Sequence, residues 1–344
     1  MCEKKVSFGI VGCGVIARYH AQAILSLDHA ELVGACSKSG ASTAAFCDEF
    51  SIRSFADYGE MLACPEISAV CICTPSGDHA AQILQALRAG KHVVVEKPMC
   101  ISLADADEVI RVADETGLRV CAVSQLRFSD SICAIRGAID QGLLGKIYSA
   151  ALTMRYFRSQ EYYDQAGWRG TWAMDGGGVL MNQGIHGVDM LCYLFGPAAE
   201  VGAYAQTMGR QIEVEDTAVA VVRFESGVLA TIDASTCCAP GFPRKIVISG
   251  ERGTIVTEED NITLWTLPEP CPIPVGSLSA SSGASDPKGI TWANHARQFA
   301  NFVDSVLLGT SLVSDAREGR LPLEIILGVY QSSREGRFVP LSHE

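Results

Sequence analysis

Several features that would mark a secreted, membrane-embedded or nucleic-acid-binding chain are missing. The first residues, Met-Cys-Glu-Lys-Lys, run into an apolar stretch, Val6–Val11, that is too short for a signal core. No window approaches the roughly 18 uninterrupted apolar residues of a membrane helix. A basic surface is lacking as well. The net charge of −12 excludes broad nucleic-acid binding, which needs cations to displace phosphate counterions. The 14 cysteines form no C-x-x-C pair and no cluster with histidines at zinc-ligand spacing, so no metal site is legible. Cys36, Cys71, Cys73, Cys121 and Cys192 lie in apolar settings and read as buried free thiols in a reducing compartment. The sequon Asn261-Ile262-Thr263 reads as chance without a secretory signal. Internal repeats and low-complexity tracts are absent. These gaps together lead to the expectation of a soluble, cytoplasmic protein with no nucleic-acid or membrane partner.

What is present is apolar material. Of the 344 residues 48% are hydrophobic and only 19% charged, enough for two packed cores. The first 120 or so residues alternate strand and helix patterns. Val6–Val11, Ala30–Ser37, Ala69–Cys73, His92–Val95 and Leu118–Val123 read as strands, with helices over 41–50, 78–89 and 102–116. Repeated βα units of this length predict a doubly wound parallel sheet. Beyond residue 124 the pattern changes. After a helix over 131–141 and a helical segment ending near Leu194, strand candidates follow one another at 200–206, 217–224, 228–235, 245–249 and 262–266. Strands grouped in this way predict an antiparallel sheet with helices on one face. Residues 268–289 read as a long loop. Two closing helices are expected, one over 292–308 and one starting near Leu321-Pro322, with proline in its first turn. The expected division is therefore 1–123 and 124–344.

The first strand ends in Gly12-x-Gly14-x-x-Ala17, and a helix opens within it. Gly12 permits the tight turn, Gly14 lets backbone approach a pyrophosphate, and Ala17 allows close helix packing. The anion then rests on helix N–H groups, including those around Val15 and Ile16. This is a dinucleotide site. After the second strand, where an NAD-binding chain usually carries an acid, the sequence reads Cys36-Ser37-Lys38-Ser39. Ser37 and Lys38 can hold a 2′-phosphate, which favours NADP(H) with NAD(H) possible; alternatively Lys38 is a solvated loop charge.

With that turn in view, the chain resembles the glucose-fructose oxidoreductase/inositol dehydrogenase/rhizopine-catabolism (Gfo/Idh/MocA) family. The resemblance rests on Gly12–Ala17, on Thr74-Pro75-Ser76-Gly77-Asp78-His79, on Glu96-Lys97-Pro98, and on the run from Gly176 through Asn182 and His186 to Asp189. It spans nearly the whole chain. It implies a Rossmann domain followed by an α+β domain whose large, mostly antiparallel open sheet builds homodimers or homotetramers. It also implies hydride exchange between a nicotinamide and a secondary alcohol or ketone of a sugar, sugar derivative or cyclitol. Thr74, Pro75 and His79 would shape the nucleotide loop, and a cis Lys97-Pro98 bond is expected.

Lys97 follows the strand His92–Val95 and so projects from the carboxyl edge of the sheet. There its ammonium can polarise the reacting oxygen, with Glu96 beside it on the ribose or tuning the lysine. His186 matches the family's catalytic histidine, and its near-neutral intrinsic pKa suits proton exchange. Where the inositol dehydrogenase pattern has an aspartate, this chain has Asn182. An amide cannot take a proton, so Asn182 would orient substrate instead. Related sugar-nucleotide 3-dehydrogenases also carry asparagine there. Trp168 and Arg169, in a stretch that also holds Tyr156, Phe157, Arg158, Tyr162 and Tyr163, can stack on a sugar and hold a carboxylate or phosphate; they can equally pack a loop or an interface. Gln125 and Arg127, past the last Rossmann strand, can reach the nicotinamide or the substrate. His295 and Asp286 are weaker candidates. Two other readings stay open: an aminosugar-uronate nucleotide 3-dehydrogenase, and a non-catalytic dinucleotide-binding regulator, which would need neither Lys97 nor His186.

Overall fold

The structure is a computed structural model that describes residues 4–276 and 292–341. The chain divides into two compact units, Met1–Gln125 with Thr291–Arg320, and Leu126–Ile290 with Leu321–Glu344. Among the described residues no helix is long and apolar enough to cross a membrane.

In the first unit, β1 (Val6–Val11), β2 (Ala30–Cys36), β3 (Arg53–Ser54), β4 (Ala69–Ile72), β5 (His92–Val95) and β6 (Val120–Ala122) form one sheet, ordered β3-β2-β1-β4-β5-β6. Every pairing is parallel. The chain steps outward from β1 to β3 and then crosses back to β4, so strand order reverses between β1 and β4, the place where such sheets open a ligand crevice. β1 and β4 are buried at every position, as strands covered on both faces must be. The helices α1 (Val15–Leu25), α2 (Gly40–Phe50), α3 (Tyr58–Ala63), α4 (His79–Arg88) and α5 (Leu103–Thr116) alternate with the strands. Ser39, Asp57 and Ser102 cap α2, α3 and α5, each side chain accepting from a backbone N–H in the first turn. β3 and α3 were not legible in the sequence. Both are short, and β3 is exposed along its length, so neither leaves a periodic pattern.

Residues 291–320 correct the expected division at residue 123. The helix Ala293–Leu308 sends Phe299, Phe302 and Val303 into the core built by Phe8, Ile10, Ala21 and Phe46 of the first unit. The Phe8 ring lies 5.7 Å from that of Phe299 and 5.8 Å from that of Phe302. Periodicity marks an amphipathic stripe but does not say which core the stripe meets.

The second unit holds α6 (Asp130–Asp140), α7 (Gln160–Asp164), α8 (Ile185–Phe195) and an eight-stranded sheet. Its strands are β7 (Ile147–Arg155), β8 (Ala198–Gln206), β9 (Thr217–Phe224), β10 (Leu229–Ser235), β11 (Lys245–Gly250), β12 (Gly253–Glu258), β13 (Asn261–Trp265) and β14 (Val339–Pro340), ordered β13-β12-β11-β7-β10-β9-β8-β14. Only β7 and β10 pair in parallel, so the sheet is mostly antiparallel. Alternation decides its faces. Ala218, Ala220, Val222 and Phe224 of β9 are buried, while Val219 and Val221 between them are exposed. Tyr148, Tyr204 and Leu229 are exposed as well.

The last helix starts earlier than Leu321-Pro322. It runs Ala316–Glu335 with Pro322 inside it, because Asp315 Oδ1 accepts from Glu318 N (2.9 Å) and caps it upstream.

Candidate active site

In the first unit, four expected ligand segments leave the same carboxyl edge of the parallel sheet: Ser37 after β2, Thr74 after β4, Glu96 after β5 and Gln125 after β6. Gly12 has φ +92°, and a Cβ there would stand 2.6 Å from the carbonyl oxygen of Cys73, so only glycine fits the turn. A Cβ on Gly14 would meet nothing within 4 Å. Gly14 is also the N-cap of α1, with no side-chain cap and no acid in the first turn. The helix thus presents free N–H groups to open space, the environment an anion needs. Ala17 is fully buried under the turn. Gln125 is buried, and its Oε1 has no hydrogen-bond partner among the described residues. An open glycine turn, an uncapped helix and an orphaned acceptor on one sheet edge fit a dinucleotide with a carboxamide or ribose donor.

The proposed phosphate readers are engaged locally. Ser37 Oγ donates to Ser39 O (2.9 Å) and lies 2.9 Å from Thr43 Oγ1; Lys38 Nζ donates to Asp78 Oδ2 (2.9 Å). Thr74 Oγ1 donates to Gln82 Oε1 (2.6 Å). His79 is buried, its ring nitrogens facing the carbonyls of Pro98 (2.8 Å) and Thr74 (2.9 Å). Burial pushes its pKa below the usual histidine value, against the pull of those two carbonyls. His79 therefore ties the loop after β4 to the Lys97-Pro98 turn, whose bond is cis.

Glu96 is the charged centre of this edge. Its Oε1 lies 2.8 Å from His20 Nε2, and its Oε2 accepts from Lys97 N (3.2 Å). Burial alone would raise its pKa. The hydrogen bond from His20 and the positive potential of His20, His295 and Lys97 outweigh burial and hold the carboxyl down at about 2. His295 sits here too, stacked on Tyr19, with its ring centroid 5.8 Å from that of His20. The donor atoms of His20, Glu96 and His295 lie within 4.8 Å of one another. The 2.8 Å His20–Glu96 separation is that of a hydrogen bond. His20 was missed in the sequence because it lies on a helical stripe of otherwise apolar residues. Asp286 lies outside the described residues.

In the second unit, the glycine run builds the approach to His186. Gly176 has φ +75°. A Cβ on Gly177 would stand 2.2 Å from Tyr330 Oη, and one on Gly178 would stand 1.7 Å from the carbonyl oxygen of Glu215. The backbone then makes a π-helical turn, Val179–Gly184, before α8 begins. Such turns recur at functional sites. Asn182 lies in this turn and His186 in the first turn of α8. Asn182 Nδ2 donates to the buried Asp175 Oδ1 (2.8 Å). Glu215, also buried, accepts from Gly178 N (2.8 Å), Leu180 N (2.9 Å) and Tyr330 Oη (2.9 Å). Burial pushes its pKa up to about 7, and those three donors restrain the rise. Asp175 and Glu215 gave no sequence signal, since isolated acids in loops are ordinarily solvated.

Arg169 is half-buried, with its guanidinium 4.3 Å from the Tyr162 ring centroid and 5.5 Å from that of Trp168. Gln183 Nε2 donates to Tyr162 Oη (3.4 Å). Arg169 Nε and Gln183 Oε1 are buried without a hydrogen-bond partner among the described residues. Arg127 is placed otherwise than expected. It is buried, bonded through Nε and Nη2 to Asp189, and packed 4.9 Å from the Tyr193 centroid. The 3₁₀ turn Gln125–Phe128 carries it inward, where it ties that turn to α8. Cys36, Cys71, Cys121 and Cys192 are buried as expected, whereas Cys73 is only half-buried, with its Sγ 3.4 Å from His20 Nδ1.

Residues 6–124 match the family description "Oxidoreductase family, NAD-binding Rossmann fold", and residues 132–256 match "GFO/IDH/MocA C-terminal domain". The chain belongs to the Gfo/Idh/MocA family. Among solved structures it is similar to the WlbA dehydrogenase from Bordetella pertussis, determined in complex with NADH and UDP-GlcNAcA. The two are 34% identical with a TM-score of 0.90 over 99% of each chain. It is 32% identical to the 1,5-anhydro-D-fructose reductase of Ensifer adhaerens over 227 residues, covering 65% of this chain and 67% of that one. It is 27% identical to the myo-inositol 2-dehydrogenase of Thermotoga maritima over 266 residues, 75% and 76% of the two chains. As a Gfo/Idh/MocA member it is an NAD(P)-dependent oxidoreductase acting on CH–OH groups, with an NAD-binding Rossmann domain.

Proposed function

We propose that this enzyme oxidises a secondary alcohol on an anionic sugar nucleotide of the UDP-GlcNAcA type, with NAD(H) as the working cofactor. The observation that carries the substrate class is the pair of orphaned polar atoms at Tyr162. Arg169 Nε offers a charge-assisted donor to a carboxylate or phosphate, and Gln183 Oε1 offers an acceptor to a hydroxyl. A neutral polyol would leave the guanidinium without its natural partner. The 34% identity with a dehydrogenase crystallised with UDP-GlcNAcA supports the same class.

When bound, the dinucleotide supplies the hydride acceptor. In this reading the chain's own residues do the rest. Gly12, Gly14 and the N–H groups of Val15, Ile16 and Ala17 hold the diphosphate, and Thr74, Pro75, His79 and Gln125 shape the nucleotide cleft. Lys97 donates to the reacting oxygen and steadies its alkoxide character. Glu96, kept ionised, favours the charged form of that lysine. His186 takes the hydroxyl proton, Asn182 orients the sugar, and Arg169 with Trp168 holds its anionic end.

NADP(H), favoured by Ser37 and Lys38 in the sequence, becomes the second reading. The Asp78 carboxylate already balances Lys38, although an exposed pair of this kind is worth only about 0–1 kcal/mol and yields readily. The exposed apolar face with Tyr204, Val219, Val221 and Leu229 favours assembly of two or four copies through the second unit's sheet.

The test is NADH formation from NAD+ and UDP-GlcNAcA, alongside NADP+ and myo-inositol. Lys97→Met should lower turnover at least about 100-fold while NADH binding is retained. Turnover of myo-inositol alone would replace the substrate class, and full activity in Lys97→Met would remove the lysine from the chemistry.

A further inference from the structure

The position of Asp175 has a meaning beyond packing, and it rests on the substrate reading above. Asp175 is 2% exposed, and both of its carboxylate oxygens accept: Oδ1 from Asn182 Nδ2 (2.8 Å) and Oδ2 from Gly170 N (2.9 Å). Its own N–H donates to Thr171 O (3.1 Å). One buried carboxylate thus spans the loop that carries Arg169 and the π-helical turn that carries Asn182. Because an ionised carboxylate only accepts, the amide of Asn182 must turn its NH2 toward Asp175. Its carbonyl oxygen is then directed away from that carboxylate. Gly170, at φ +71°, has no room for a Cβ, which would meet Ile212 Cγ2 at 2.8 Å, so the N–H that Asp175 holds is fixed in direction.

We propose that Asp175 is a positioning residue. It fixes the Asn182 amide with its carbonyl oxygen as the group offered to a sugar hydroxyl, and it ties that acceptor to the backbone beside Arg169, so that the hydroxyl and the anionic end of the substrate are gripped as a unit. A freely rotating asparagine would offer a donor or an acceptor and distinguish poorly between a hydroxyl and a carbonyl. An anchored one reads a donor. Tyr163 and Tyr330 face Asp175, and burial pushes the pKa of each up, so neither changes charge near neutrality. Glu215 lies beyond Tyr330 and accepts from its hydroxyl.

The experiment compares wild type with D175N, N182D and D175N/N182D, reading kcat, KM and their pH dependence with NAD+ and UDP-GlcNAcA, and melting temperature and NADH binding beside them. D175N leaves one acceptor oxygen for the two N–H donors and adds an NH2 that can turn the Asn182 amide over, so it should cut kcat/KM about tenfold, chiefly through KM, with NADH binding unchanged. N182D sets two carboxylates at hydrogen-bonding distance, so one must hold a proton. Its rate profile should gain a new ionisation, with activity recovering as pH falls. The double variant restores one carboxylate and one amide, so that added ionisation should vanish and melting should recover. A D175N enzyme with wild-type kcat/KM, or a double variant that keeps the pH profile of N182D, overturns the proposal. Wild type that leaves UDP-GlcNAcA untouched defeats the substrate reading instead. The positioning role is then read from melting alone: recovery in the double variant supports it, and additive losses overturn it.

Discussion

Two buried glutamates, one in each unit, meet opposite fates. Glu96 stands among His20, His295 and Lys97 and is held ionised, with its pKa at about 2. Glu215 is equally enclosed and accepts three hydrogen bonds, yet its donors are two backbone amides and a tyrosine, and its pKa rises to about 7. Burial disfavours charge in both. What differs is the sign of the surroundings, since neutral donors soften the desolvation cost while cationic neighbours reverse it. The cofactor side is thereby built around a permanent anion, and the segment leading to His186 around a carboxyl that titrates near neutrality.

The comparison breaks most sharply at Glu96. Glu96→Ala leaves His20 and His295 without their anion and should cost on the order of 3–5 kcal/mol, measured by urea unfolding at pH 7. A loss below 1 kcal/mol would mean that the buried charge is compensated elsewhere. In wild type the Glu96 contribution is present above the unfolded carboxyl pKa and is lost only as pH falls from about 4.5 toward 2.

Glu215 runs the other way. Its folded pKa is raised, so its contribution is present below about 4.5 and is lost as pH rises toward 7, by on the order of 3 kcal/mol. Glu215→Gln should flatten that slope in melting curves taken between pH 5 and 7. Parallel curves for variant and wild type would show that Glu215 does not titrate there. The smallest effect is expected from Tyr330→Phe, which removes one of the three donors at a cost of about 1–2 kcal/mol. It should also move the Glu215 inflection to higher pH; an unmoved inflection would give the restraint to the backbone donors alone.

The two units also differ in how far they could be read in advance. β1, β5 and β9 fall on the expected residues, because continuous apolar runs or strict alternation leave little choice. Gly12, Gly14 and Lys97 were legible from strand-turn spacing, which places them at a sheet edge whatever else the chain does. Arg127 was less legible because its type suits both a ligand and a buried pair, and its partner Asp189 lies far along the chain. His20, Asp175 and Glu215 gave no signal, since their roles come from the groups that enclose them.

By itself the sequence determined most of the order of strands and helices and the glycine turn for a diphosphate, and its motifs pointed to the lysine and histidine of the expected chemistry. The first two follow from local periodicity and strand-turn spacing, the last from the motifs that carry the resemblance. Only the tertiary structure decided that residues 292–320 complete the first core, that Gly177 and Gly178 must be glycine because Tyr330 and Glu215 occupy their side-chain space, and that one glutamate is held ionised while the other titrates near neutrality. Those outcomes depend on which distant groups share a small volume, and neither spacing nor composition along the chain encodes that directly.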